Sequence, residues 1–271
     1  MGASTRRSPD QKAEHVFADI DGNTHHYVSY GEGPPVVFLH GLGGTAAIFH
    51  GTMQAMQQHH HVVAVDLRGH GRSQGRGKFS IEGWARDVQK LIRHLELPAV
   101  TLVGHSLGSL IAQELASTSP DTVDQLVLVG GISYFQPPTC DAYRERAEIV
   151  ERDGMDALVD GWLEGAVSPQ SHATHAGMVG LLRDMFLRNE PQSYAKSCRA
   201  LATAPRIRRD EIGQPTLIVT GAHDRSTPLA MAEELRSSIP VSRVKVLPDV
   251  GHWLPLESPG VLAATLLEFL T

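Results

Sequence analysis

One serine stands in a sequence pattern that is typical of activated serine nucleophiles. Residues 104–108 read GHSLG, which matches G-x-S-x-G with Ser106 at its centre. The apolar run before it predicts a buried strand, and Ile111, Ala112 and Leu115 follow at helical spacing. A serine bent between a strand and a helix presents its hydroxyl beside backbone N–H groups of the helix start. The alternative is a chance match in a glycine-rich loop, but the flanking elements favour Ser106 as a nucleophile.

A second glycine-rich turn follows an earlier apolar run. Residues 40–44 read HGLGG, and glycines at the end of a strand let backbone N–H groups turn toward an anion. We expect the N–H groups of Leu42 and Leu107 to form an oxyanion hole. The alternatives are a plain turn and a phosphate-binding loop. The latter is disfavoured because no Lys-Ser or Lys-Thr pair follows the glycines.

Candidates for an acid and a base lie after the last two predicted strands. Asp224 follows the first of these strands and His252 follows the second. Asp249 is a rival acid, but it shares the loop of His252, and an acid from a separate strand end is better placed to orient the imidazole. The chain order serine, aspartate, histidine predicts a catalytic triad of Ser106, Asp224 and His252. Its chemistry would be acyl transfer through an acyl-serine that water then hydrolyses.

The elements that position these residues alternate between strand and helix. This alternation predicts an α/β fold with a mostly parallel, eight-stranded sheet, flanked by helices, and a site at the carboxyl ends of its strands. The first two strands enclose a turn and predict a hairpin at an antiparallel edge. The predicted strands span residues 15–20, 25–30, 36–39, 61–66, 100–103, 125–129, 215–220 and 244–247, and further helices are expected at 80–97, 229–238 and 261–270.

Between two of these strands the pattern changes to helices alone. Residues 133–205 show only helical periodicities, at 143–150, 155–163, 178–187 and 193–202, and predict an inserted helical cap over the sheet edge. The core would then comprise residues 15–132 and 206–271, after a disordered leader at 1–14. Aromatic side chains above a nucleophile suit an apolar pocket. The candidate pocket residues are Gly41, Trp162, Phe186 and Trp253.

The loop DLRGHGRS at 66–73 and the run His59-His60-His61 could each suggest a further site. A glycine-rich loop with an Arg-Asp pair more often serves loop geometry, so we favour that interpretation of Asp66, Arg68 and His70. Three adjacent histidines on an extended segment point to alternate faces, so all three cannot ligate one ion. We therefore expect neither a metal nor a cofactor.

Composition narrows the function classes. The chain has 271 residues, 41% of them hydrophobic and 20% charged, with a formal net charge of -6. Because acids and bases are interspersed and no basic stripe is present, nucleic acid is not an expected partner. The N-terminal residues contain no apolar signal-peptide region, and no apolar run approaches the length of a membrane span. We expect a cytoplasmic monomer or small homo-oligomer with free thiols at Cys140 and Cys198.

These motifs together resemble the α/β-hydrolase superfamily over almost the whole chain after the leader. The segments DLRGHGRS, GHSLGSLIAQELA, GMDALVDGWLEG and GAHDRSTP are most similar to the 3-oxoadipate enol-lactonase group of lactone and ester hydrolases. That resemblance implies a four-helix cap, the triad described above and hydrolysis of a small carboxylic ester or lactone. The dianionic substrates of the group imply cations from the cap. Since residues 163–166 after Trp162 contain no cation, an uncharged ester or lactone is at least equally expected.

Other activities are compatible with the same motifs. Carbon–carbon bond hydrolases of ring-cleavage products share the fold and triad and resemble the stretch Gly251-His252-Trp253, although their first glycine loop usually differs. Haloperoxidase or perhydrolase activity is a side reaction of the same triad. A ligand-binding receptor with little turnover is an alternative from a different class. A metallo-lactonase is disfavoured, because the sequence contains no His-x-His-x-Asp-His cluster.

Overall fold

The computed structural model describes residues 14–271, in which eight strands form one sheet. The order across the sheet is β1-β2-β4-β3-β5-β6-β7-β8, and every pairing from β4 to β8 is parallel. The strands are β1 (Glu14–Ile20), β2 (Asn23–Tyr30), β3 (Pro35–Leu39), β4 (His61–Val65), β5 (Val100–His105), β6 (Val123–Val129), β7 (Thr216–Gly221) and β8 (Ser242–Leu247). The predicted fold class and strand count are confirmed. The predicted leader lies outside the described residues except for Glu14, which begins β1.

The burial of each strand explains why its sequence pattern looks as it does. Val36–Leu39 of β3 are at most 1% exposed, because helices cover both faces of a central parallel strand, and the sequence is therefore apolar without alternation. At the two edges, β1 and β8 consist mostly of exposed or half-buried residues instead, and only Ala18, Ile20 and Leu247 are buried. The hairpin of β1 and β2 is antiparallel and forms one edge, as predicted.

Helices of the core cover both faces of this sheet. They are α1 (His50–Met56), α2 (Ile81–His94), α3 (Leu107–Thr118), α9 (Leu229–Ser238), α10 (Leu254–Glu257) and α11 (Pro259–Leu270). The Ser80 side chain caps α2 by accepting a 3.1 Å hydrogen bond from the N–H of Gly83. The same helix ends at His94 rather than at residue 97, because Glu96 takes a positive φ of 52° and Pro98 follows.

Five helices lie between β6 and β7 and are called the helical insert below. They are α4 (Pro137–Asp153), α5 (Asp156–Ala166), α6 (Pro169–Thr174), α7 (Ala176–Leu187) and α8 (Pro191–Ala202). The sequence indicated four of them and missed α6, which is short and polar and is capped by the side chain of Ser168. The first helix, α4, starts at Pro137 rather than at residue 143, since proline fits the first turn of a helix. Within residues 14–271 no helix has the length and apolarity that crossing a bilayer requires.

Candidate active site

The carboxyl ends of four parallel strands meet at one edge of the sheet. Leu39 pairs with Gly104 across β3 and β5, and Gly221 pairs with Leu247 across β7 and β8. The central strand β6 connects these two pairs. The loops that leave these ends therefore bring together the glycine-rich turn at 40–44, Ser106, Asp224 and His252.

Ser106 occupies a strained backbone conformation at the junction of β5 and α3. Its φ is 52° and its ψ is -115°, a region that non-glycine residues rarely adopt. Its N–H donates to the carbonyl of Val129 at 3.0 Å, and its carbonyl accepts from the Ser109 hydroxyl at 2.6 Å. A Cβ added at Gly104 would overlap the carbonyl of Gly108, and one added at Gly108 would overlap the carbonyl of Leu39. Only glycine at both positions permits this sharp turn.

Asp224 holds the imidazole of His252. The Nδ1–H of His252 donates to Oδ2 of Asp224 at 2.9 Å, and the Asp224 side chain is fully buried. The Thr227 hydroxyl also donates to Oδ2 at 2.7 Å, while the N–H groups of Ser226 and Thr227 donate to Oδ1 at 2.9 and 2.8 Å. Burial alone would raise the pKa of Asp224, but the charge of His252 and these hydrogen bonds outweigh it and lower the pKa. Asp224 is therefore ionised at neutral pH.

The rival acid Asp249 lies elsewhere. Its side chain is 78% exposed, and its carboxylate lies 3.8 Å from the ring of His223 rather than beside His252. The structure therefore brings Asp224, and not Asp249, to the imidazole.

The backbone of His252 is held from two sides. Its carbonyl accepts a 2.8 Å hydrogen bond from Nε2 of His105, and its N–H donates to the carbonyl of Ala166 at 2.9 Å. Burial, reinforced by the neighbouring His252, lowers the pKa of His105 to about 3. His105 therefore stays neutral at physiological pH, with its proton on Nε2, and Nδ1 has no hydrogen-bond partner among the described residues.

The turn at 40–44 is fixed by buried polar contacts. The carbonyl of Gly41 accepts from the N–H of Gly44 at 3.0 Å and from Nδ1–H of His40 at 2.7 Å, while Nε2 of His40 accepts from the N–H of Leu67 at 3.0 Å. Leu42 faces the cavity, and Leu107 begins α3, where a backbone N–H has no partner within the helix. Both proposed oxyanion donors thus belong to segments that border Ser106.

The loop after β4 supports that turn. Oδ1 of Asp66 accepts from the N–H of Ala46 at 2.7 Å, and Oδ2 accepts from the N–H of Arg72 at 2.8 Å and from Nδ1–H of His26 at 2.7 Å. Arg68 pairs with Asp87 at 2.8 Å. These contacts agree with the interpretation that the 66–73 motif serves loop geometry.

A cavity of about 290 Å³ lies above Ser106 and between the sheet edge and the helical insert. Four predicted residues, Gly41, Leu42, Trp162 and Trp253, line it together with Ser106 and His252. Phe186 is not among the residues that line the cavity, since it packs against Trp162 with tilted rings whose centroids are 4.4 Å apart, so its placement on the pocket wall is corrected. The further lining residues are His105, Thr139, Ala142, Tyr143, Arg146, Gly161, Gly165, Arg225 and Ser226.

Sequence reasoning missed the cation that the insert contributes to this cavity. The expectation of an insert without a cation rested on residues 163–166, but Arg146 reaches the cavity from α4. The signal was present in the helical spacing, because residues 139, 142, 143 and 146 of α4 all line the cavity and lie on one helix face.

Glu257 is a second residue that the sequence did not single out. Its carboxylate accepts hydrogen bonds from the N–H groups of Gly251 at 3.0 Å, Trp253 at 3.1 Å and Ser168 at 3.0 Å. One side chain therefore ties the loop of His252 to the segment that joins α5 and α6.

Comparison with known proteins agrees with this geometry. The sequence profile of the α/β-hydrolase fold matches residues 34–259. The 3-oxoadipate enol-lactonase 2 of Acinetobacter baylyi is 27% identical over 239 residues, covering 86% of this chain and 88% of that protein. The solved enol-lactonase of Burkholderia xenovorans has a TM-score of 0.89 at 26% identity, covering 94% of this chain and 99% of that one. A thermophilic esterase from Thermogutta terrifontis has a TM-score of 0.88 at 25% identity, covering 96% and 98%.

Proposed function

Because the chain belongs to the α/β-hydrolase fold family, we propose that it hydrolyses a small carboxylic ester or lactone through an acyl-serine intermediate. The observation that carries this proposal is the buried Asp224–His252 pair, which lies beside the same cavity as the strained Ser106. Relatives that include an enol-lactonase and an esterase support the choice of reaction.

In the first half of the reaction, Oγ of Ser106 attacks the acyl carbon while Nε2 of His252 takes the hydroxyl proton. The carbonyl oxygen becomes an oxyanion, which the N–H groups of Leu42 and Leu107 stabilise. When the tetrahedral intermediate collapses, the bond to the leaving oxygen breaks and His252 returns the proton to that oxygen. An ester then releases its alcohol, whereas an opened lactone keeps its new hydroxyl on the acyl chain.

In the second half, water replaces the alcohol as the nucleophile. His252 removes a proton from the water as its oxygen attacks the acyl carbon, and the same oxyanion forms again. Collapse releases the carboxylic acid and returns the proton to Ser106. Throughout both halves, Asp224 fixes the proton of His252 on Nδ1 and stabilises the imidazolium that forms. Its lowered pKa keeps that carboxylate charged.

We further propose that residues 133–205 act as a cap on a core formed by 15–132 and 206–271. The position of α4 and α5 on the cavity wall supports this division. In this arrangement the sheet supplies the reacting groups and the cap supplies most of the surface that recognises the substrate.

The test compares wild type with Ser106→Ala on p-nitrophenyl acetate, p-nitrophenyl butyrate and a neutral aryl lactone. We expect wild type to turn these compounds over and Ser106→Ala to lose more than about a thousandfold in kcat, because the nucleophile is gone. A phosphonate that reacts with serine nucleophiles should label the wild-type protein at Ser106, as mass spectrometry of the peptides would show. Retained activity in Ser106→Ala, or a label on another residue, would overturn the mechanism.

A further inference from the structure

We propose that Gly161 and Gly165 of α5 form a slot in the cavity wall for the alcohol part of the substrate, so that the preferred substrate is an ester of a phenol or an aryl-fused lactone. This inference rests on the proposed hydrolase function and specifies its substrate class. It assigns a role to the segment around residues 163–166, which contains no cation.

Neither glycine is required by the backbone of α5. Both lie within the helix (Asp156–Ala166), and neither has a positive φ. A Cβ built at either position meets no atom within 4 Å, whereas one built at Gly104 or Gly108 overlaps backbone. Glycine also destabilises a helix relative to alanine. The fold alone would therefore favour alanine at both positions, and the reason for glycine lies in what this face of the helix contacts.

Both glycines face the cavity above Ser106, since both belong to its lining. They are four residues apart, which places them on one face of α5 and about 6 Å apart along its axis. Gly165 is half-buried and Gly161 is exposed, so this bare strip of helix runs from the interior of the cavity to its mouth. Without side chains there, a ligand can approach the helix backbone closely.

Aromatic side chains flank the strip. Trp162 lies on α5 beside the glycines, and Tyr143 lies on α4. The ring of Trp162 packs against Phe186 at 4.4 Å between centroids and meets the edge of Trp253 at 5.5 Å and 71°. Aromatic walls favour an aromatic ring by more than the area that it buries. The α5 slot is defined by five cavity-lining residues, Tyr143, Gly161, Trp162, Gly165 and Trp253.

An unpaired donor gives independent support for a ligand in this cavity. The side chain of Trp253 is 1% exposed, and its Nε1–H has no hydrogen-bond partner among the described residues. A buried donor without an acceptor is unfavourable. Because Trp253 lines the cavity together with the two glycines, an oxygen atom of a bound molecule can supply the acceptor.

The α5 slot lies on the side of the proposed base. The N–H of His252 donates to the carbonyl of Ala166, which follows Gly165 directly, and Trp253 follows His252 in the chain. In the proposed mechanism His252 returns its proton to the leaving oxygen, so the alcohol part of the substrate lies next to His252. The α5 slot therefore takes the alcohol part of the substrate rather than the acyl part.

The test compares phenyl acetate with 2-naphthyl acetate. The two esters share the acyl group and have leaving groups of similar acidity, so they differ mainly in the size of the flat alcohol. In Gly161→Leu and Gly165→Leu the new side chain fills the slot. The ratio of kcat/KM for naphthyl acetate to that for phenyl acetate should then fall by about tenfold to a hundredfold, as for overpacking of a binding surface. Phenyl butyrate extends the acyl part instead, so its ratio to phenyl acetate should stay at the wild-type value.

Gly180→Leu provides a matched control in the same insert. Gly180 lies inside α7, a Cβ built there also meets no atom within 4 Å, and the residue is exposed and does not line the cavity. Both substrate ratios should therefore keep their wild-type values. An unchanged naphthyl ratio in both slot variants would overturn the proposal. Equal losses on phenyl and naphthyl acetate would also overturn it, since they would indicate that leucine disturbs the reacting groups. A fall in the butyrate ratio would overturn the assignment of the slot to the alcohol.

Alanine variants separate a role in binding from a role in folding. Gly161→Ala and Gly165→Ala should raise the urea midpoint of unfolding, because alanine favours a helix, while the naphthyl ratio should fall. A protein that is more stable but less active on the larger ester is not expected if the glycines serve only the structure. A lower urea midpoint in both alanine variants would show that the fold requires these glycines, and would overturn the proposal.

A binding measurement separates this proposal from the proposed hydrolysis. Calorimetry with 2-naphthol as the probe should detect binding to wild type and to Ser106→Ala, but at least about tenfold weaker binding to Gly161→Leu and Gly165→Leu. If no ester is hydrolysed while 2-naphthol binds in this way, the hydrolase mechanism fails and the α5 slot is supported. Equal binding of 2-naphthol to wild type and to both slot variants would overturn the slot whatever the turnover.

A second alcohol tests the aromatic class. Decahydro-2-naphthol has the same carbon skeleton as 2-naphthol but is not flat, so it should bind wild type at least about tenfold more weakly. Equal affinities for the two alcohols would overturn the preference for an aryl substrate.

Discussion

The ring of His105 donates a hydrogen bond from Nε2 to the carbonyl oxygen of His252, 2.8 Å away. His105 immediately precedes Ser106 in the chain, so the segment of the candidate nucleophile is bonded directly to the loop of the candidate base. Their rings also pack at 4.9 Å between centroids. One buried, neutral histidine therefore contributes directly to the relative position of the candidate nucleophile and the candidate base.

Replacing His105 with leucine should slow turnover without removing any reacting group. Loss of the hydrogen bond to the His252 carbonyl removes one constraint on the loop that carries the candidate base. A small misplacement of a base costs about tenfold to a hundredfold in rate. We expect kcat for p-nitrophenyl butyrate to fall by about that factor. His105→Gln keeps an N–H donor and should recover part of the loss. Equal kcat values for wild type and His105→Leu would show that this bond does not position the base.

Replacing Asp224 with asparagine should nearly abolish turnover, because the amide favours the wrong tautomer of His252 and cannot stabilise its cation. A decrease in kcat of about ten-thousandfold is expected for a triad aspartate. The control is Asp249→Asn, whose exposed side chain lies beside His223 and should retain wild-type kcat within about twofold. The opposite ranking of these two variants would transfer the acid role to Asp249.

Two glycine-to-alanine substitutions should change stability in opposite directions. In Gly108→Ala the new Cβ meets the carbonyl of Leu39, so the turn at Ser106 must open, and the free energy of unfolding should fall by about 3 kcal/mol. In Gly180→Ala, inside α7, the new Cβ meets nothing within 4 Å, and stability should rise by about 1 kcal/mol. Urea unfolding monitored by circular dichroism measures both changes. A Gly108→Ala protein as stable as wild type would contradict the packing of this turn.

Acid should destabilise the protein partly through His70. Burial, together with the nearby His40, lowers the pKa of His70 from 6.5 to about 3. Between these two pH values the unfolded chain binds a proton that the folded chain does not, so the free energy of unfolding falls as pH falls. For one such group the slope approaches about 1.4 kcal/mol per pH unit. Unfolding of wild type and His70→Gln at several pH values in that range should give a shallower slope for the variant, whereas equal slopes would show that His70 does not contribute.

The sequence predicted the sheet well because the burial of a strand restricts which residue types the strand itself can contain. A strand such as β3 is covered on both faces and can hold only apolar residues, so Val36–Leu39 are visible without any knowledge of their neighbours. The same is true of the turn at Ser106, where two glycines are required by contacts with backbone close by in the fold. Both features can be recognised in the sequence without knowledge of how distant segments of the chain pack together.

The sequence predicted the cavity wall less well because recognition depends on contacts between distant segments. Arg146 is one arginine among several on α4, and only the folded structure shows that it lines the same cavity as Ser106. Phe186 was predicted to line the pocket because it belongs to an apolar stripe of a helix. Such a stripe does not show which of its side chains reach the cavity and which lie behind another side chain, as Phe186 lies behind Trp162. Glu257 accepts hydrogen bonds from backbone N–H groups. Every residue except proline has such a group, so the sequence does not indicate which of them a carboxylate will bind.

The loop that carries His252 is attached to the helical insert, and this attachment limits which part of the insert can be exchanged in an engineered chimera. The N–H of His252 bonds to the carbonyl of Ala166, and Glu257 bonds to the N–H of Ser168, so residues 166–168 are attached to the loop that carries the proposed base. A chimera that exchanges everything between β6 and β7 would import foreign supports for the histidine. Transplanting only α4 and residues 156–165 of α5 would exchange the part of the cavity wall that these helices form and leave those supports native.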